Sequence, residues 1–304
     1  MKTAVEVDIA GKSLRLTNLE KVFYAQTGFT KGQMIQYYTD IAPAILPHLK
    51  SRMVTLKRYP DGSGGMFFYE KNCSANRPDW IRTAPMWSEG NQRDVNYCVI
   101  DSLPALVWAA NLAAIELHTS LAKAPRNERP TAIAFDLDPG PPATILKCAR
   151  VGLWLREKFE AMKLKSFPKT SGSKGLQIYV PLNTAATYDG TKEFAHALAQ
   201  ELEREHPEDV VSNMKKALRT NKVFIDWSQN DMHKTTVNVY SMRAREHPTV
   251  STPVTWKEVE AALKAEKPEL LSFEAPAVVA RVKEFGDLFE PVLSLKQKIP
   301  KVLA

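Results

Sequence analysis

The stretch Thr131-Ala132-Ile133-Ala134-Phe135-Asp136-Leu137-Asp138-Pro139-Gly140 constrains this chain more than any other. It has the apolar composition and length of a buried strand, and Pro139-Gly140-Pro141-Pro142 stops it. Side chains alternate faces on a strand, so Asp136 and Asp138 share one face and Leu137 takes the other. Two residues of rise separate the carboxylates by about 6.6 Å. At an effective dielectric near 20 they repel by roughly 2.5 kcal/mol. An otherwise apolar strand carries such a pair where a cation sits between them, and Mg2+ or Mn2+ prefers carboxylate oxygens. Lys222-Val223-Phe224-Ile225-Asp226-Trp227 repeats the theme with one acid. Three carboxylates on adjacent strands would make a two-metal phosphoryl-transfer site. The spacing alone leaves two other readings open. Each Asp can end a strand and pair with Lys or Arg, or the D-x-D can hold a nucleotide-sugar through a metal, as in glycosyltransferases.

Helices and strands mix around this core. Residues 143–162 and 191–206 read as helices, and residues 176–182, 222–227 and 235–240 as strands. Residues 16–49 read as helical, with Thr30 and Gln33 forming a capping box that opens a helix at Lys31. Residues 53–59, a Pro60-to-Gly65 turn and residues 66–70 read as a hairpin. Residues 103–117 read as a buried helix, residues 126–130 as a loop, and residues 256–265 and 276–289 as closing helices. Strict β-α-β alternation is missing, so the fold class expected is α+β.

The 304 residues carry 41 Lys and Arg against 34 Asp and Glu, a net charge of +7 that favours polyanionic partners, nucleic acid first. The opening MKTAVEVDIAGKSLRL lacks the apolar core of a secretory signal. Pro104, Asn111 and Glu116 break the most apolar stretch, which is too short to span a bilayer. The three cysteines, odd in number and without a C-x-x-C pair, argue against a disulfide scaffold or a cysteine-rich zinc site and suit a reducing cytosol. A cytoplasmic, nucleoid-associated location is therefore expected.

Several further segments suit anion binding. Thr170-Ser171-Gly172-Ser173-Lys174-Gly175 lies between two strands, where backbone N–H groups can curl around an anion beside Lys174. It lacks the P-loop spacing and precedes a strand, so an ordinary glycine turn remains open. Gln177 and Tyr179 share one face of the strand that follows. Arg243 ends another strand, within reach of a triphosphate or simply at the surface. Lys57 and the pair Phe67-Phe68 sit on opposite arms of the hairpin; an exposed Phe could stack a base, while the pattern favours both in the core. His118 follows an apolar helix and reads as a structural helix-end residue. Asn18, Lys21 and Lys31 sit at the starts of two N-terminal helices, where lysines and helix N-termini can make an anion site.

Taken in order, these segments resemble the polymerase domain of bacterial DNA ligase D and its stand-alone archaeal relatives, of the archaeo-eukaryotic primase superfamily. The resemblance runs from about Leu16 to Phe289. Its carriers are Leu16-Thr17-Asn18-Leu19-Glu20-Lys21, Met66-Phe67-Phe68, Ile115-Glu116-Leu117-His118, Phe135-Asp136-Leu137-Asp138-Pro139-Gly140, Ser171-Gly172-Ser173-Lys174-Gly175-Leu176, Phe224-Ile225-Asp226-Trp227 and Tyr240-Ser241-Met242-Arg243. It implies a primase-like catalytic core with central, mainly antiparallel sheets flanked by helices, in a single primase-polymerase domain over residues 1–304. Residues 1–130 would be its N-terminal part, 131–250 its metal-binding core and 251–304 a helical tail.

The resemblance also implies roles. Asp136, Asp138 and Asp226 would hold two divalent ions, Mn2+ or Mg2+. Ser171, Lys174, Gln177, Arg243 and His118 would bind the incoming ribo- or deoxynucleoside triphosphate. Lys57 and Phe67-Phe68 would contact nucleotide and template. Asn18, Lys21 and Lys31 would grip a 5′-phosphate at a gap or double-strand break in DNA. The activity implied is nucleotide addition to DNA 3′ ends in non-homologous end joining. The partners implied are a Ku-like end-binding protein and an ATP-dependent DNA ligase, on the same polypeptide or a separate chain. An alternative is a non-catalytic 5′-phosphate-binding module that recruits a ligase. One departure stands out: where the family usually has His, this chain has Gln177, which can donate a hydrogen bond but cannot become a cation.

Overall fold

The structure, a computed structural model, describes residues 4–300. The chain divides into two compact units. One comprises the chain up to Pro125 with Val237–Ser251 and Glu274–Asp287; the other comprises Arg126–Thr236, Thr252–Phe273 and the chain from Leu288.

The first unit opens with an antiparallel hairpin, β1 (Ala4–Ile9) and β2 (Lys12–Thr17), and a smaller pair, β3 (Val22–Tyr24) and β4 (Phe29–Thr30). Helix α1 (Lys31–Asp40) begins at the expected capping box: Thr30 Oγ1 accepts from Gln33 N at 3.2 Å, and Gln33 Oε1 accepts from Thr30 N at 2.7 Å. Its Met34, Ile35 and Tyr38 are buried, and α2 (Ala42–Leu49) follows. An antiparallel sheet then forms around β5 (Val54–Arg58), with β6 (Phe68–Glu70), β7 (Arg82–Ser88) and β8 (Arg93–Val99). Helix α3 (Leu103–Asn111) leads into β9 (Ala114–Thr119), which pairs along β5, and then into the short β10 (Ala122–Lys123).

The second unit begins at β11 (Arg126–Pro130) and holds a five-stranded sheet. Its members are β12 (Ala132–Pro139), β13 (Phe167–Thr170), β14 (Leu176–Pro181), β15 (Val210–Val211) and β16 (Val223–Asp226). The spatial order is β13-β14-β12-β16-β15, antiparallel except between β15 and β16. Helices α4 (Ile145–Ala161) and α5 (Tyr188–Glu205) cover one face. The strand period decides which residues go there. Ile133, Phe135 and Leu137 of β12, Leu176, Ile178 and Val180 of β14, and Val223 and Ile225 of β16 pack with Leu155, Phe159, Leu198 and Leu202 of the helices. Truncating a fully buried phenylalanine such as Phe135 costs about 3–5 kcal/mol. That burial fixes the register, so the alternate residues, the aspartates among them, are forced to the opposite face.

The remaining elements are β17 (Thr236–Val237), α6 (Trp256–Ala265), α7 (Ala275–Phe285) and α8 (Pro291–Ser294). The α+β class with mainly antiparallel sheets is as expected.

Five local expectations are corrected. Residues 16–30 are strands and turns, and helix begins only at Lys31; Asn18, at φ 55°, sits in a turn and not at a helix start. Residues 103–117 are not one helix. Ala113, at φ 64°, ends the helical stretch and the chain leaves as β9, because a short apolar run satisfies a buried helix and a buried strand equally. Residues 126–130 are a strand, and the extended stretch expected over residues 235–240 is confined to β17. Cys73 and Cys98 form a disulfide across 25 residues, leaving Cys148 as the free, buried thiol; an odd count leaves room for one bond.

Candidate active site

The second unit lines up a row of polar side chains across four strands. Lys169 of β13 pairs with Gln177 of β14, Gln177 with Asp136 of β12, and Asp136 with Asp226 of β16. Directly opposed residues in antiparallel strands bring their Cβ atoms within about 4.5–5.5 Å. Asp138 lies one pleat along on the same face and is exposed. The aspartate trio therefore follows from register: two carboxylates on one strand and one directly across from the first.

Its electrostatics are those of a carboxylate cluster short of positive charge. Burial first, then the charges of Asp138 and Asp226, push the Asp136 carboxyl up to about 7, against a hydrogen bond from Gln177 and the nearby Lys169. Lys169, 1% exposed, donates to Gln177 Oε1 at 2.5 Å. With its oxygen held by a cation, Gln177 turns its amide N–H toward Asp136. Asp226 is fixed by its own loop: Oδ1 accepts from Ser228 N at 3.0 Å and from Ser228 Oγ at 2.5 Å, and Oδ2 from Gln229 Nε2 at 2.7 Å. Among the described residues, no three His, Cys, Asp or Glu side chains already converge as metal ligands. The trio nevertheless fits divalent cations by its chemistry: hard oxygen donors whose mutual repulsion a cation would relieve.

The glycine loop between β13 and β14 is held from within. Ser171 Oγ accepts from Ser173 N at 3.2 Å and Gly175 N at 3.1 Å, and Ser171 N donates to Gly175 O at 2.9 Å. Ser171 is buried while Lys174 is exposed. Gly175 is required here, since a Cβ at this position would lie 2.3 Å from Leu137 O, between the two aspartates of β12.

The first unit carries a second cluster. His118 lies on β9 and not behind a helix, so it shares a face with Glu116. Glu116, 2% exposed, is the hub. Its carboxylate meets His118 Nε2 at 2.8 Å, Arg243 Nε at 3.4 Å and Lys57 Nζ at 3.7 Å. It also accepts from Tyr59 OH at 3.3 Å and Ala244 N at 3.2 Å. Burial works against its ionisation, but the His118 hydrogen bond and the Arg243 and Lys57 charges hold it well below the usual carboxylate range. Lys57, His118 and Arg243 are thus brought together, and each keeps some exposure.

Aromatic rings flank this cluster. Lys57 Nζ lies 4.3 Å from the Phe67 ring centre and 5.3 Å from those of Tyr59 and Tyr69. Phe67 and Phe68 are 48% and 43% exposed, so neither is in the core. The N-terminal residues are placed differently. Lys21 Nζ donates to Asp61 Oδ1 and Pro60 O, both at 2.7 Å. Buried Lys31 donates to Thr17 O at 2.7 Å and Asn111 Oδ1 at 2.8 Å. A phosphate would meet these ammonium groups only by taking the place of protein acceptors.

Sequence reasoning passed over Glu116 and Lys169 as site residues. Glu116 had a usable signal, a glutamate two residues before a histidine in an apolar run, but only once that run is read as a strand. Lys169 had none, because its partner comes from cross-strand register.

Comparison with known proteins places the chain in a family. The family described as "LigD, primase-polymerase domain" matches residues 30–289. "Multifunctional non-homologous end joining protein LigD" of Mycolicibacterium smegmatis is 37% identical over 281 residues, covering 92% of this chain and 36% of that protein. "Bifunctional non-homologous end joining protein LigD" of Bacillus subtilis is 31% identical over 274 residues, covering 90% of this chain and 43% of that protein. The chain thus spans about two-fifths of the length of these relatives. A solved structure, "Polymerase Domain from Mycobacterium tuberculosis Ligase D in complex with DNA", superposes with a TM-score of 0.86 at 36% identity, covering 93% of this chain and 99% of that one. A match over most of the chain, in sequence and in three dimensions, makes this protein a member of the LigD primase-polymerase domain family.

Proposed function

We propose that this chain is a polymerase that adds ribo- or deoxynucleotides to DNA 3′ ends at gaps and double-strand breaks during non-homologous end joining. The observation that carries the reading is the face of β12 on which Asp136 and Asp138 stand with Asp226 directly across. Asp136, Asp138 and Asp226 would hold two divalent ions, Mn2+ or Mg2+, which when bound supply Lewis acidity at the primer 3′-oxygen and at the triphosphate. Gln177, oriented by Lys169, donates to Asp136 and keeps its carboxylate aimed. Lys57, His118 and Arg243 of the first unit would neutralise triphosphate oxygens; in the second unit, Ser171, Lys174 and the N–H groups of the glycine loop have the chemistry of a phosphate cradle. Phe67 and Phe68 would stack bases. Asn18, Lys21 and Lys31 would recognise a downstream 5′-phosphate, with a Ku-like protein and a DNA ligase as partners at the break.

The test is extension of a primer on a short gapped duplex, with and without a downstream 5′-phosphate, in Mn2+ or Mg2+, with Asp136→Ala beside the wild type. Phosphate-stimulated addition that the variant loses is the result expected. Phosphate-dependent binding without any addition by the wild type would replace the polymerase with an end-binding module.

A further inference from the structure

The cation cluster of the first unit holds a feature that triphosphate binding does not by itself require, a buried carboxylate at its centre. A glutamate beside a polyanion site repels the ligand; at about 4 Å and an effective dielectric near 20, one such pair of charges is worth roughly 4 kcal/mol. A hydrophobic or amide side chain would avoid that repulsion. Glu116 is instead held in its charged form, and its contacts gather Lys57, His118 and Arg243, with Tyr59 OH and Ala244 N as further donors. Lys57 stands directly across from Glu116 in the β5–β9 pairing, His118 stands two residues along the same strand, and Arg243 with Ala244 N comes from the returning segment. Without an anion between them, three cations in one place repel and disperse. Glu116 also fixes the ring of His118, because Nε2 points at its Oε2.

We propose that Glu116 is the positioning residue of the nucleotide site: its carboxylate preassembles Lys57, His118 and Arg243 into a single triphosphate-binding set. This rests on the reading that those three residues bind the triphosphate. Aromatic rings border the set: Lys57 Nζ lies 4.3 Å from the Phe67 ring centre and 5.3 Å from those of Tyr59 and Tyr69. Preassembly removes the ordering of three long or hinged side chains from the binding step. Glu116 also supports the charge of His118. The imidazole faces Glu116 of its own strand, Lys57 of β5, the Tyr69 ring of β6 at 6.1 Å, and Arg243. Burial lowers its pKa first of all, the two cations lower it further, and only Glu116 raises it.

The experiment is titration of the full chain with Mn2+–ATP by calorimetry, from pH 5.5 to 8, for wild type and Glu116→Gln. Glutamine keeps the shape and the acceptor for Tyr59 and Ala244 but removes the charge. The expected result is a Kd weakened about tenfold or more, the scale of a lost charged hydrogen bond. The pH at which binding begins to weaken should move down in the variant, while affinity for a DNA duplex stays within twofold. A purely structural role would not move that pH midpoint. A folded Glu116→Gln that binds Mn2+–ATP with the wild-type Kd and pH profile overturns the proposal. If Glu116→Gln does not fold, Lys57→Met, Arg243→Met and their double variant decide. A shared hub requires their losses to be non-additive, and strict additivity overturns it. Wild type that binds no Mn2+–ATP at all is a separate result, and it removes the polymerase reading together with this one.

Discussion

Replacing Gly175 with alanine tests how tightly the glycine loop is tied to the aspartate strand. Gly175 precedes β14, and an ideal Cβ there would stand 2.3 Å from Leu137 O, 3.3 Å from Leu137 C and 3.7 Å from Pro139 Cδ. A carbon sits no closer than about 3.3 Å to a carbonyl oxygen, so roughly 1 Å must be absorbed by two backbones. Neither is free to give. Leu137 pairs with Leu176 on one side and Ile225 on the other, and its side chain is fully buried. Gly175 does not occupy a positive φ, so the cost is steric and not conformational. Overpacking of this kind costs about 1–3 kcal/mol. Leu137 lies between Asp136 and Asp138, so the shift also moves the carboxylates, and a misplacement of about 1 Å can lower a rate on the order of 100-fold. Urea unfolding and primer extension measure the two effects. Gly64→Ala is the control, since a Cβ there meets nothing within 4 Å, and it should stay within about 0.5 kcal/mol of wild type. Gly175→Ala with wild-type stability and wild-type extension would refute the argument that the close approach sets the geometry.

Three further outcomes follow from the structure. The Asp136 carboxyl is raised in the folded state from 3.8 to about 7, so folded protein holds that proton more tightly than unfolded chain does. Its stabilising contribution is present at low pH and is lost as pH rises from about 4 to 7; metal-free protein should melt lower across that window, and Asp136→Asn should flatten the trend, with Mn2+ at neutral pH raising the melting temperature of wild type only. Phe67→Ala and Phe68→Ala should each weaken nucleotide or template binding by about 1–3 kcal/mol, with stability changed by less than about 1 kcal/mol because both rings are exposed; a thermal melt and a binding titration separate the two. Reducing the Cys73–Cys98 disulfide, which closes a 25-residue separation, should cost about 3.5 kcal/mol of stability by loop entropy, and an unchanged melt in reductant would count against the bond.

How much of this was legible in the sequence depends on the range of the forces involved. The common face of Asp136 and Asp138 follows from the strand period alone, and the helix starting at Lys31 follows from Thr30 and Gln33. Both are local rules. The failures came where local rules are silent. Residues 114–119 are apolar enough for helix or strand, and the left-handed turn at Ala113 decides between them. The pairing of Cys73 with Cys98 and the row from Lys169 to Asp226 are products of register, which no single segment contains. The exposure of Phe67 and Phe68 is a matter of what packs over the hairpin, which the hairpin's own sequence does not contain.

The interleaving of the two units bears on how the chain is made. The chain passes from one unit to the other five times, and each unit is stitched from three separated segments. The first unit lacks its last segment until Asp287 has been synthesised, and the second until residues beyond Leu288 have been added; Gln297 N, for example, donates to Leu182 O at the end of β14. Neither unit can therefore finish folding on the ribosome while the other is still to come, the usual way in which multidomain chains shelter their apolar surfaces. The sheet that carries Asp136 and Gln177 has all five strands once Asp226 is made, but the α6 residues Val259 and Ala262, and Gln297, which pack or bond against it, come later. Its exposed strands are then the point at which a chaperone or an aggregating neighbour would first take hold.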